Sequence, residues 1–145
     1  SIFHVINYMI KENDLNSFFK TASFHLKKGG YLLFDTWYYP AVKYDPPKKI
    51  KKIFDDEYLI INRKALPKKL SKKIYKIKYD ISIFNKKNLK EMKFSEIHKI
   101  RAFDSKELNK ISQKYNFKKT DNFAFLKKIH PNKNNWGAVF IYQKL

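Results

Sequence analysis

The chain has 145 residues, enough for one domain with a real core, and its 43% hydrophobic and 17% aromatic content excludes disorder. No cysteine is present, so disulfides, thiolate metal sites and cysteine nucleophiles are out. The formal net charge of +19 raises a polyanion as partner. However, only Arg63 and Arg101 are arginines, and the lysines are spread through every predicted element. Solvated surface lysine is therefore the expected reading, and nucleic acid is not the expected partner.

The opening "SIFHVINYMI" has no initiator methionine and starts inside an apolar segment, so it reads as the tail of a buried strand with more protein expected ahead of Ser1. Asn13 can cap a helix whose apolar positions are Leu15, Phe18, Phe19, Ala22 and Leu26. Gly29 or Gly30 supplies the left-handed stop. Tyr31–Phe34 is a short, almost wholly apolar run, as in a strand covered on both faces. Strand, helix, strand in that order predicts a parallel α/β sheet.

From Tyr44 to Ala102 the pattern changes to alternation, which predicts an inserted antiparallel sheet. Strands are expected at Ile50–Phe54 and Tyr58–Arg63, on either side of the acidic turn Asp55-Asp56-Glu57. In "IYKIKYDISIF", Tyr75, Ile77, Tyr79, Ile81 and Ile83 share one face. Asn85–Asn88 is a turn, and a partner strand runs from about Glu91 to Ala102. Asp104 and Glu107 have capping-box spacing, with Phe103 able to staple onto Leu108. That helix carries Leu108, Ile111 and Tyr115 inward and stops at Asn116. Two last strands are expected near Asp121–Leu126 and Trp136–Gln143. No apolar run is long enough to span a membrane and no signal peptide opens the chain, which makes the cytoplasm the default location.

Ligands of parallel sheets sit outside the carboxyl ends of the strands. Two such ends are visible, "FHVINY" and "FDTWYY". At the second, Trp37 and Tyr38 could stack on a sugar or nucleotide ring. Asp35 reads as a turn-stabilising carboxylate rather than a catalytic acid. In "MKFSEIHKIRA" the alternation places Glu96 and His98 on the apolar face with Met92, Phe94, Ile100 and Ala102. An acid and a histidine there are costly unless paired or functional, which makes both candidates for an acceptor pocket. His130 reads as surface loop and Trp136 as packing. The four histidines show no metal-ligand spacing, so no metal is expected.

The order of these motifs resembles the second half of class I S-adenosylmethionine-dependent methyltransferases. "HLKKGGYLLFDTWYYP" is similar to the region around that family's fifth strand, "SKELNKISQKYNFKKTD" to its following helix and sixth strand, and "NNWGAVFIYQK" to its antiparallel seventh strand. An antiparallel sheet inserted after the fifth strand resembles the subgroup that N-methylates amino groups of nucleotide-linked deoxysugars.

The resemblance implies a Rossmann-like α/β fold, S-adenosylmethionine as cofactor and a small polar acceptor. It also implies the cofactor beside Phe3 and His4, an acceptor-facing polar group at Tyr8, and a histidine near His98. The family's glycine-rich cofactor loop has no counterpart, since the three glycines are Gly29, Gly30 and Gly137 and no Gly-x-Gly occurs. The expectation is a C-terminal part of an enzyme, inactive alone. Alternative readings are a basic module binding RNA, and an inactive partner subunit or homodimer whose strand edge at Ser1–Val5 is covered by a neighbour.

Overall fold

The computed structural model describes residues 1–145. In chain order its elements are α1 (Glu12–His25), β1 (Tyr31–Trp37), α2 (Tyr39–Tyr44), β2 (Ile50–Asp55), β3 (Leu59–Lys69), β4 (Ile74–Asn85), β5 (Lys90–Arg101), α3 (Ser105–Gln113), β6 (Phe117–Ala124) and β7 (Gly137–Lys144). They form two compact units: Ser1–Pro46 with Ile100–Leu145, and Pro47–Lys99.

The first unit carries a three-stranded sheet in the order β1-β7-β6, antiparallel throughout. The parallel relation expected of strand, helix, strand is confined to single residues. The Ser1 amino group donates to Leu33 O (2.8 Å) and Ser1 O accepts from Asp35 N–H (3.3 Å), the bonding of a parallel pair centred on Phe34. Tyr38 and Phe103 make a second parallel bridge beyond the end of β1. The segment after Ser1 is not a strand: Phe3 and His4 both turn left-handed (φ 62°), and Val5–Tyr8 is a 3-10 turn.

α1 starts two residues earlier than Asn13 capping would allow. Asp14, three residues after Lys11, accepts the Lys11 N–H at 3.0 Å and so satisfies a donor at the start of the helix. Leu15 and Phe19 are its buried face. α1 ends at His25 on an extended Leu26, whose N–H donates to Ala22 O, rather than on a glycine; Gly29 is left-handed (φ 82°) in the loop beyond and donates to Lys144 O. α3 is capped as its sequence predicts, Asp104 accepting from Glu107 N–H at 2.9 Å. Asn116 is left-handed (φ 59°).

Two further features differ from the sequence reading. α2 is a six-residue helix in a stretch to which the sequence reading assigns no element, with Pro40 in its first turn, where the missing N–H costs nothing. β6 begins at Phe117, four residues ahead of the expected Asp121, because Phe117 is buried in the core and pairs with Lys144.

The core is aromatic. Phe19, Phe34, Phe103, Phe117, Phe140 and Tyr142 are fully buried together with Ile6, Leu15 and Leu108. Phe34 and Phe140 are cross-strand partners and their rings stack at 5.9 Å. Arg101 ties the unit's pieces together: its guanidinium donates to Ile10 O (2.9 Å) and to Glu107, and lies 5.1 Å from the Phe103 ring.

The second unit is a four-stranded antiparallel sheet, β2-β3-β4-β5. Its turns are set by side-chain acceptors. Asp56 Oδ1 accepts from Tyr58 and Leu59 N–H (2.8 and 2.7 Å), and these bonds hold its carboxyl below the usual range. Asn85 Oδ1 accepts from Lys87 and Asn88 N–H. Each strand alternates between two faces. One carries Lys51, Lys64 and Asp80, with Ser95 Oγ donating to Asp80 at 2.6 Å. The other carries Arg63, whose guanidinium lies 4.2 Å from the Tyr79 ring.

Candidate functional site

At the carboxyl end of β1 the chain gathers residues from three segments. Asp35 is fully buried, and its two carboxylate oxygens accept the His4 backbone N–H at 3.1 and 3.2 Å. His4 Nδ1 is itself buried and lies 2.5 Å from Asp35 Oδ2, an ion-pair approach without a directed hydrogen bond. The left-handed backbone at Phe3 and His4 makes this possible by folding the imidazole back over the strand end. Left-handed geometry is unfavourable for such residues and persists only where the surroundings enforce it. Here the two main-chain bonds to a buried carboxylate do so.

The rest of the histidine faces a cleft of about 230 Å³, lined by His4, Ala124, Phe125, Asn134, Trp136 and Gly137 among others. The His4 ring meets Phe125 edge-on at 5.7 Å. Gly137 gives the room: a Cβ there would stand 2.9 Å from Phe125 Cβ and 3.5 Å from His4 Cε1.

Trp37 closes the strand end, its ring 5.1 Å from that of Trp136. The Trp37 backbone N–H donates to Asn7 Oδ1 (3.3 Å), while Asn7 Nδ2 is buried with no hydrogen-bond partner.

The residues singled out from sequence divide between the units. In the first, Phe3 is exposed, Tyr8 is half exposed, and Tyr38 packs against the core cluster. In the second, His98 Nε2 stands 3.3 Å from Glu96 Oε2 and the His98 ring meets Tyr79 edge-on at 5.3 Å. This confirms the face assigned by alternation. Around Glu96 that face is open, however: the Glu96 side chain is 53% exposed, so the desolvation cost expected of a buried acid does not arise.

The sequence reading takes Asp35 as a turn carboxylate and Trp136 as packing, and does not weigh Asn7 or Gly137 as site residues. Asp35 carried a signal, being an acid at the end of an apolar run. The approach of His4 to Asp35 depends on a backbone turn that composition does not announce. Among all residues no cluster of three or more metal-ligating side chains exists, and no helix is long and apolar enough to cross a membrane.

Three solved structures resemble the chain over nearly all its length. A S-adenosylmethionine-dependent methyltransferase from Clostridium acetobutylicum is 20% identical with a TM-score of 0.75, the match covering 99% of this chain and 56% of that one. DesVI from Streptomyces venezuelae is 12% identical with a TM-score of 0.78, covering 99% and 57%. The sugar N-methyltransferase KedS8 from Streptoalloteichus is 13% identical with a TM-score of 0.75, covering 97% and 53%. The fold is that of the C-terminal part of an S-adenosylmethionine-dependent methyltransferase. The chain spans little more than half the length of these structures. No family model matches it, and no curated protein does.

Proposed function

We propose that this chain is the acceptor-side, C-terminal part of an S-adenosylmethionine-dependent methyltransferase. The acceptor we assign is a small polar molecule, such as the amino or hydroxyl group of a nucleotide-linked sugar. The observation that carries this is the meeting of His4, Asp35, Trp37 and Trp136 at the carboxyl end of β1, in a unit with the fold of such enzymes. S-adenosylmethionine, when bound, supplies an electrophilic methyl group. The exposed Phe3, the left-handed His4 and the unpaired Asn7 amide suit one edge of its site. The glycine-rich loop that would hold the rest is not among these residues.

The protein's own task is then to position the acceptor and exclude water. Trp37 offers a flat wall against which a sugar or base could lie, with Tyr38 behind it in the core. Tyr8 offers a hydroxyl for the acceptor. Within the second unit, Glu96 and His98 form a carboxylate–imidazole pair of the kind that can move a proton. Calorimetric titration of S-adenosylhomocysteine into the intact protein should give saturable binding with one site. A flat titration, with the protein folded, would sink the methyltransferase reading.

A second reading is favoured by one observation in the β2–β5 sheet. Lys51 stands directly opposite Lys64, and Lys68 opposite Lys76. Like charges in such pairs are destabilising, and a polyanion would relieve them. Binding of an oligouridylate that weakens steeply with salt would favour this reading. No binding at low salt would remove it.

A further inference from the structure

We infer that His4 is the residue that takes the acceptor's proton, with Asp35 holding its imidazole in the working orientation. This rests on the methyltransferase reading above and gives His4 a role beyond bordering the cofactor.

Three independent observations converge on it. First, the two nitrogens of the ring are in unlike places. Nδ1 is buried beside the Asp35 carboxylate, whereas about a third of the side chain is exposed, so the accessible part of the ring lies away from Nδ1. The carboxylate 2.5 Å from Nδ1 favours the proton on that nitrogen by its charge rather than through a directed hydrogen bond, and leaves Nε2 to accept. Second, Asp35 is fully buried, and every described contact of its carboxylate is with His4, through the backbone N–H and Nδ1. A carboxylate serving only a turn would need no ring over it. Third, strained backbone at two successive non-glycine residues, Phe3 and His4, aims this one side chain at the cleft. The cleft also carries the polar side chains of Asn134 and Asn135, while Phe125 and Trp136 supply apolar walls.

The step is a plain proton transfer. The acceptor's N–H or O–H bond breaks, its electron pair stays on the acceptor atom, and the proton goes to Nε2. The resulting imidazolium keeps Nδ1–H towards the Asp35 carboxylate, which offsets the new charge, and it then releases the proton to water. Asp35 does not touch the acceptor and is a positioning residue.

The test uses the intact protein with ¹⁵N-histidine. In the free protein the His4 ring should show the tautomer protonated at Nδ1, and Asp35→Asn should redistribute the proton between the two nitrogens. UDP-glucosamine, added as an amine probe with S-adenosylhomocysteine present, should shift the Nε2 resonance and leave Nδ1 nearly unmoved. With S-adenosylmethionine, methyl transfer to the probe should fall at least 100-fold in His4→Asn, in kcat rather than KM. Asparagine tolerates the left-handed backbone, so this variant keeps the fold. The opposite tautomer, a probe that leaves Nε2 unmoved, or a wild-type rate in His4→Asn would overturn the inference while S-adenosylhomocysteine binding still stood. Failure of S-adenosylhomocysteine to bind would instead bring down the methyltransferase reading, and this inference with it.

Discussion

The rings of Phe34 and Tyr142 lie parallel, 5.8 Å apart and tilted by only 6°, although the two residues are not register partners. Phe34 faces Phe140 and Tyr142 faces Leu32, so the stack runs diagonally across the β1–β7 pair. Phe18 and Phe19 close on Phe34 edge-on from α1, at 5.5 and 6.0 Å. One strand residue thereby joins the helix to the central strand. Phe34→Ala should lower stability by about 3–5 kcal/mol, read from chemical denaturation followed by near-ultraviolet circular dichroism. A loss under 1 kcal/mol would show that the cluster does not organise this unit.

Tyr142 sets the alkaline limit. Burial pushes its phenol well above the ordinary tyrosine value, while its hydroxyl donates to Asn109 Oδ1 at 2.8 Å. A folded pKa above the unfolded one means stability that is complete below the unfolded value and lost as pH rises through the folded one. The decline should begin near about pH 10 and continue above it. Tyr142→Phe should cost about 0.5–1.5 kcal/mol at neutral pH and flatten that decline. Equal alkaline slopes for the two proteins would contradict this.

Asp80 gives the acid-side counterpart in the β2–β5 sheet. The Lys78 ammonium and the Ser95 hydroxyl hold its carboxyl below the ordinary range. Its contribution is full above the unfolded carboxyl value of about 4 and disappears as pH falls through the lower folded value. Protection of the β4 and β5 amides, relative to the intrinsic exchange rate at each pH, should therefore fall at acid pH in the wild type. In Asp80→Asn the same amides should show a smaller acid response.

Gly137→Ala should be destabilising by about 1–3 kcal/mol, since the new methyl meets a backbone-anchored Cβ of Phe125 rather than a flexible side-chain end. The same methyl reaches the His4 ring, so ¹⁵N spectra should record a displaced imidazole. An unchanged His4 resonance would mean that Phe125 yields alone.

Arg101→Lys keeps the charge but cannot serve Ile10 O and Glu107 at once from a planar fork. A loss of about 1–3 kcal/mol is expected, and Arg101→Lys with Glu107→Gln should be less than additive because the two share a contact.

Elements whose formation depends on neighbouring residues were legible in the sequence. Asp104 caps α3 by accepting from Glu107 N–H, and Asp56 and Asn85 form the turns, because each acts within about three residues of itself. The face of β5 bearing His98 followed from strict alternation. The start of β6 did not, since pairing with Lys144 overrides the polar run Lys118-Lys119-Thr120. Nor did the His4–Asp35 approach, which joins residues 31 apart through a left-handed turn for which neither side chain has a preference.

The interleaving of the two units has a consequence for how the polypeptide emerges during synthesis. Strands β2–β5 pair with sequence neighbours and can zip up as soon as they appear. β1 has no such neighbour: its antiparallel partner β7 ends at Lys144, more than a hundred residues behind Tyr31. The apolar run Tyr31–Phe34 must therefore wait for its antiparallel partner until β7 has been made. Such a delay invites capture by chaperones, and the five lysines at positions 20, 27, 28, 43 and 48 around that run are placed to discourage association of unfinished chains.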